Sequence, residues 1–184
     1  MPRVSVVVLV ALAGALIPAG PGAANAYAAH SGPSPNRADD VFAQTMMAHH
    51  EFGVQMAQVA AQRGTTPAVR ALAARIMATQ TREIRQMRGF LRVSRAPLRG
   101  PRPAGIQVQD QREKLGRLLG ARGLEIDRLF LMFMQQHHLG GITQAQIEQR
   151  SGAYRPSLRL ARSIARTQAR EAAEMDSLLA RLGA

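Results

Sequence analysis

Two histidine pairs, each behind a methionine, are the residues of this chain best equipped for chemistry. The first lies in Asp39-x-x-Phe42-x-x-x-Met46-x-x-His49-His50-x-x-Gly53, with Met56 three residues further on. The second lies in Asp127-x-x-Phe130-x-x-x-Met134-x-x-His137-His138-x-x-Gly141. The offset is 88 throughout, and it also carries Leu72, Ile76, Gln80, Glu83 and Met87 onto Leu160, Ile164, Gln168, Glu171 and Met175. The chain is an internal duplication without a net gap. Neutral imidazole takes Cu, Zn, Fe or Ni, and thioether sulfur selects soft ions, above all Cu(I) and Ag(I). Zinc would prefer His with carboxylate or Cys. A di-iron bundle would want Glu-x-x-His on two helices, which the chain lacks. Histidine paired with methionine, in a chain without cysteine, points to copper.

The elements that position these residues follow from the spacing. Phe42, Met46, His49, Gly53, Met56 and Ala60 step by three and four, the seam of one helix begun by Asp39 or Asp40 as N-cap. Gly64 suits a left-handed C-cap, and Thr66-Pro67 suits the N-cap and first position of the next helix. That helix is expected from Pro67 to about Arg92, with Val69, Ala73, Ile76, Gln80, Glu83, Met87 and Phe90 on its seam. The short turn makes the two antiparallel neighbours. A Pro- and Gly-rich linker with a short helix over Asp110–Leu119 follows. Two further helices, from about Glu125 to Arg150 and onward to about Leu182, repeat the hairpin. The expected fold is all-α: a four-helix bundle of two duplicated hairpins (repeat 1 39–92, linker 93–122, repeat 2 123–184) about a pseudo-twofold.

Seam positions face a core, so His49, Gln80 and Glu83 in one half, and His137, Gln168 and Glu171 in the other, are polar groups in an apolar setting. A buried carboxylate is costly unless a cation or donors compensate it. Two at equivalent positions, each with a histidine on the partner helix, suggest an arranged site. The bland alternatives stand beside it. Methionine at heptad spacing fills cores, which suffices for Met47, Met77 and Met132. Met46, Met56 and Met87 can be core or ligand. Glu83 and Glu171 can serve by holding the imidazoles. Gly53 and Gly141 read as places of close helix contact.

The first 28 residues form an expected signal peptide: Arg3, an apolar run from Val4 to Ile17, Pro18 and Pro21 as breakers, then small-x-small sites ending at Ala26 and Ala28. Residues 29–38 are an expected flexible tether. The chain is thus expected to be exported, periplasmic or extracellular, with no stable membrane span after cleavage. No disulfide assists its folding. Formal net charge is +12 over 184 residues, almost all of the positive charge from Arg. Such a surplus favours anionic partners. Along the sequence, however, the basic residues are spread over the helices and not gathered in a block, and no aromatic platform for stacking bases accompanies them. Nucleic acid is therefore not an expected partner.

The coupled pattern, Asp-x-x-Phe-x-x-x-Met-x-x-His-His followed by a Gln-x-x-Glu-x-x-x-Met helix, resembles the CopM-like family of exported, ferritin-like four-helix proteins. The resemblance spans Asp39 to about Leu182 and occurs in both halves. It implies copper binding outside the cytoplasm, in a metallochaperone or copper-tolerance role, with copper passed to or from another protein. It points to Met46, His49, His50, Met56, Glu83 and Met87, and to Met134, His137, His138, Glu171 and Met175. Gln144 stands where the second half would repeat Met56, so the first half is expected to hold Cu(I) more tightly. The rival reading is a metal-free basic helical interaction module of the cell envelope. No nucleophile with a defensible partner is present, so no enzymatic activity is expected.

Overall fold

The computed structural model describes residues 32–100 and 105–183, with side chains from 108 onward in the second stretch. The expected signal segment lies outside the described residues. The described residues form five helices: α1 (Arg37–Arg63), α2 (Pro67–Ser94), α3 (Gly105–Gly120), α4 (Leu124–Ser151) and α5 (Arg155–Arg181). No strand occurs among the described residues. The chain is all-α, with the four long helices paired α1–α2 and α4–α5. The two hairpins meet mainly through α1 and α4, while α2 and α5 lie to the outside.

The N-cap expected at Asp39 or Asp40 is Asn36, and the aspartates at the repeat starts do a different job. Asn36 caps α1: its side chain accepts from the Ala38 and Asp39 amides, and the Asp39 carboxylate accepts from Asn36 N at 2.7 Å. That is a reciprocal capping box. The buried Asp39 carboxylate also accepts from Ala153 N at 3.2 Å and Tyr154 N at 3.1 Å, at the start of α5. Asp127 accepts from Thr65 N at 2.9 Å and Thr66 N at 2.7 Å, at the start of α2. Thr66 and Tyr154 make no side-chain cap bond of their own. Each half therefore caps a helix of the other half, with a carboxylate where the helix dipole favours one. These crossed caps set α1 and α4 antiparallel about a pseudo-twofold axis.

Gly64 differs from its expected left-handed cap, with φ −57° and ψ 144°. Space, not φ, demands glycine there: a Cβ would lie 2.6 Å from the Ala60 carbonyl oxygen and 3.0 Å from Asp127 Oδ1. The linker helix α3 is longer than expected and closes one end of the molecule. Leu118 is fully buried against that end. Arg63 donates to the Leu119 and Ala121 carbonyls, each at 2.8 Å, and pins the linker to α1.

The apolar interior is split in two. One cluster holds Met56, Ile76, Phe130, Met134 and Met175. The other holds Phe42, Met46, Ile84, Met87 and Ile164. The repeat offset maps Phe42, Met46 and Met87 onto Phe130, Met134 and Met175, so the axis exchanges the two ends. Between them runs a belt of His50, Gln80, Glu83, His137, His138 and Gln168, all buried polar side chains.

Candidate metal centre

The belt is built by the i, i+4 geometry of antiparallel helix pairs. His50 on α1 faces Glu83 on α2, with Nε2 to Oε2 at 2.8 Å, both buried. His138 on α4 faces Glu171 on α5 at 2.7 Å. His50, one step off the seam in the sequence pattern, is thus the histidine that meets the carboxylate, and His49 is not. With each Nε2 directed at a carboxylate oxygen, the neutral tautomer carries its proton there and its lone pair on Nδ1. Nδ1 of His50 and of His138 is buried and has no hydrogen-bond partner among the described residues. A carboxylate that orients an imidazole and leaves the other nitrogen free is the usual outer support of a metal-bound histidine.

The methionines sit one turn away on the same faces. Met46 precedes His50 by four residues and Met87 follows Glu83 by four, and both are fully buried. Met134 and Met175 stand in the same relation to His138 and Glu171, also fully buried. Among the described residues no three His, Asp or Glu side chains converge on one point. The further soft donors on the same helix faces are the thioethers of Met46, Met87, Met134 and Met175.

Met56 does not join the group expected for it. Ten residues of helix separate Met46 from Met56, about 15 Å along the axis, and the two fall in different apolar clusters. A Cβ on Gly53 would lie 2.6 Å from His137 Nε2. On the antiparallel register that sets Gly53 against His137, Met56 comes level with Met134, and Gln144 with Met46. The first half's extra methionine therefore belongs to the end that carries Met134 and Met175. The Met46 and Met87 end, where a third thioether was expected, faces Gln144 instead.

His49 and His137 meet each other. Their rings stack with centroids 3.7 Å apart and planes 18° from parallel. In-plane lone pairs on two parallel rings point side by side and cannot converge on one ion. Burial, then the charges of His50 and His138, push the His49 pKa down from 6.5 to about 3, with a hydrogen bond to the His137 backbone opposing. Burial, then His49 and His138, hold His137 well below the ordinary histidine value. Both are neutral at the axis. Gly53 and Gly141 make room for the belt: a Cβ would come within 2.4 Å of Gln80 Oε1 at the first and 2.3 Å of Gln168 Oε1 at the second.

The family model for Domain of unknown function (DUF305) matches residues 39–179. The chain belongs to the DUF305 family. No curated protein matches it. Among solved DUF305 structures, one from Streptomyces coelicolor, described as a secreted protein, shares 28% identity at a TM-score of 0.73, covering 80% of this chain and 94% of that one. A DUF305 fragment from Deinococcus radiodurans shares 26% identity at a TM-score of 0.74, covering 81% and 99%. CopM in its Cu(I)-bound form shares 25% identity at a TM-score of 0.67, covering 78% and 96%. CopM has also been solved with Cu(II) and with Ag.

Two belt residues of this DUF305 chain stood on the polar seam read from the sequence but not among the metal ligands expected there. Gln80 and Gln168 have both amide atoms buried without partners, beside the glycines. Their signal was the repeat itself, which keeps glutamine at both positions of an otherwise apolar seam. No described helix is long and apolar enough to cross a membrane.

Proposed function

We propose that this protein is an exported Cu(I)-binding protein that sequesters copper or hands it to another protein, and that it binds without catalysing a reaction. Copper is its cargo. One site uses His50 Nδ1 with the thioethers of Met46 and Met87. The other uses His138 Nδ1 with Met134 and Met175, and Met56 adjoins it. Glu83 and Glu171 hold the imidazoles by accepting from Nε2. His49 and His137 pack the axis between the sites and are not ligands. The observation that carries this reading is the unpartnered, buried Nδ1 of each carboxylate-bound histidine beside fully buried methionines. The relatives solved with copper and silver support the choice of ion. Neutral imidazole and thioether together favour Cu(I) over harder ions.

Anaerobic titration of the protein with Cu(I) against a chromophoric competitor tests it. Two equivalents are expected. His50→Ala and His138→Ala should each remove one, and the tighter loss should belong to His138→Ala. His49→Leu with His137→Leu should keep both. If the protein takes up no copper, the His–Glu pairs are buried structural hydrogen bonds and the metal-free interaction module takes over; copper that neither single variant loses would place the ligands elsewhere.

A further inference from the structure

Along the sequence the arginines look evenly spread, but α5 gathers five of them. Arg155, Arg159, Arg162, Arg166 and Arg170 are spaced by four, three, four and four. At 3.6 residues per turn they fall within an arc of roughly 80° and run about 22 Å along the helix. All five are exposed. The buried residues of α5, among them Leu160, Ile164, Gln168 and Met175, occupy the opposite side, so the strip points straight out from the bundle.

Nothing in the fold calls for this strip. Among the described residues none of the five arginines forms an ion pair, whereas Arg75 pairs with Glu174 and Arg88 with Glu51. Arg170 donates only to Thr167 Oγ1, at 3.3 Å. The duplication supplies an internal control. At the repeat-equivalent positions α2 carries Pro67, Ala71, Ala74 and Ala78, with arginine only at Arg82. That helix, of nearly the same length, carries as many arginines as α5 but spreads them over an arc of roughly 140°, with Arg75 and Arg88 in ion pairs and Arg70 bound to the Gly64 and Thr65 carbonyls.

We propose that the outer face of α5 docks on anionic phospholipid headgroups. Guanidinium forks match phosphate oxygens two at a time. A straight row on a convex face suits a planar array of phosphates and gives no cleft for a single small anion. The neighbouring exposed positions are small, Ala169 on one flank and Ala173 further along. They offer no apolar anchor of the kind that centres a protein interface and no aromatic surface for bases. Attachment is therefore peripheral, electrostatic and salt-sensitive.

Co-sedimentation of the full chain with large vesicles tests this. Neutral phosphatidylcholine vesicles are compared with vesicles containing 30% phosphatidylglycerol, about physiological salt against 0.5 M. The amino-terminal apolar segment contributes to both lipid mixtures, so the anionic-minus-neutral difference is the readout. Expected is a preference for anionic vesicles of tenfold or more, lost at high salt. The variant R155Q/R159Q/R162Q/R166Q/R170Q should lose at least tenfold. A charge-matched control, R82Q/R85Q/R112Q/R122Q/R150Q, should lose less than threefold. Circular dichroism checks that both variants fold. Equal losses in the two variants would make the effect one of net charge and overturn the proposal. Tighter binding to a 20-mer oligonucleotide than to vesicles at equal phosphate, abolished by the α5 variant, would overturn it in favour of nucleic acid.

Discussion

The two halves of this molecule share the belt, the crossed aspartates and many of the apolar positions that flank them, and differ in the core chemistry beside one turn. His49–His50, Gln80, Glu83, Gly53 and Asp39 all recur at the 88-residue offset. Around the turn that ends the central helix they part. Ala60 and Val69 in the first half become Glu148 and Ser157 in the second, and Met56 becomes Gln144. At the first turn Asp127 meets only backbone amides. At the second, Asp39 meets the same amides with a second buried carboxyl beside it. Glu148 accepts from Ser157 Oγ at 2.6 Å. Burial first, then Asp39, push its pKa from 4.5 up to about 7, against the Ser157 hydrogen bond. The lesson is that a shared backbone plan tolerates a change of core chemistry one turn away, provided the crossed cap survives.

The largest expected effect comes from breaking the caps unequally. Asp127→Ala strands two amides and should cost about 3 kcal/mol in chemical denaturation, since hydrogen bonds to a buried charge are among the strong ones. Asp39→Ala strands three amides, Asn36 N among them, yet should cost less, because it also relieves Glu148. An Asp39→Ala variant as unstable as Asp127→Ala would mean the two carboxyls do not oppose each other.

Next in size is acid sensitivity of the apo protein. His49 is held neutral in the fold and takes up its proton on unfolding. Its contribution is present above pH 6.5 and is lost as pH falls toward about 3. By pH 5 the loss should be about 2 kcal/mol from His49, with His137 acting in the same direction. Melting curves of His49→Leu with His137→Leu should be flatter between pH 7 and 5. If the wild type is equally flat, the stack is not a neutral pair.

Glu148 works in the opposite sense and more weakly. Its folded pKa is raised, so its contribution is full below pH 4.5 and is lost as pH rises through about 7. Glu148→Gln should keep the Ser157 contact and remove that slope, a gain on the order of 1 kcal/mol at pH 8. No such feature exists in the first half, so Ala60→Gln should give no matching gain.

The smallest effect tests the ends against each other. Gln144→Met restores the missing thioether level with Met46 and should tighten the weaker Cu(I) site several-fold while leaving the other unchanged. A change at the His138 site instead would show the helix register to be misassigned.

The helices and their pairing were legible because the duplication doubles every periodic signal. The His–Glu pairing was half legible. A linear seam ranks His49 and His50 by one residue, 100° of helix, and cannot say which partner helix lies on which side. The position of Met56 was not legible at all, because it depends on the antiparallel register of α1 on α4, and contacts between halves leave no short-range spacing. The arginine strip was visible in the spacing of Arg155 to Arg170 and hidden by counting charges along the chain instead of around the helix.

The crossed aspartates also say something about ancestry and assembly. A hairpin that carries one aspartate at its start and one turn in its middle cannot use the first to close the second, since the closure runs between hairpins. Two copies related by a twofold axis satisfy each other completely. The connection through residues 93–122 then serves to keep two partners at high local concentration, much as a tether turns a dimer into a monomer. We hypothesise that a peptide of residues 32–96 is unfolded when dilute and forms a twofold homodimer when concentrated. Sedimentation showing a folded single hairpin would sink the idea.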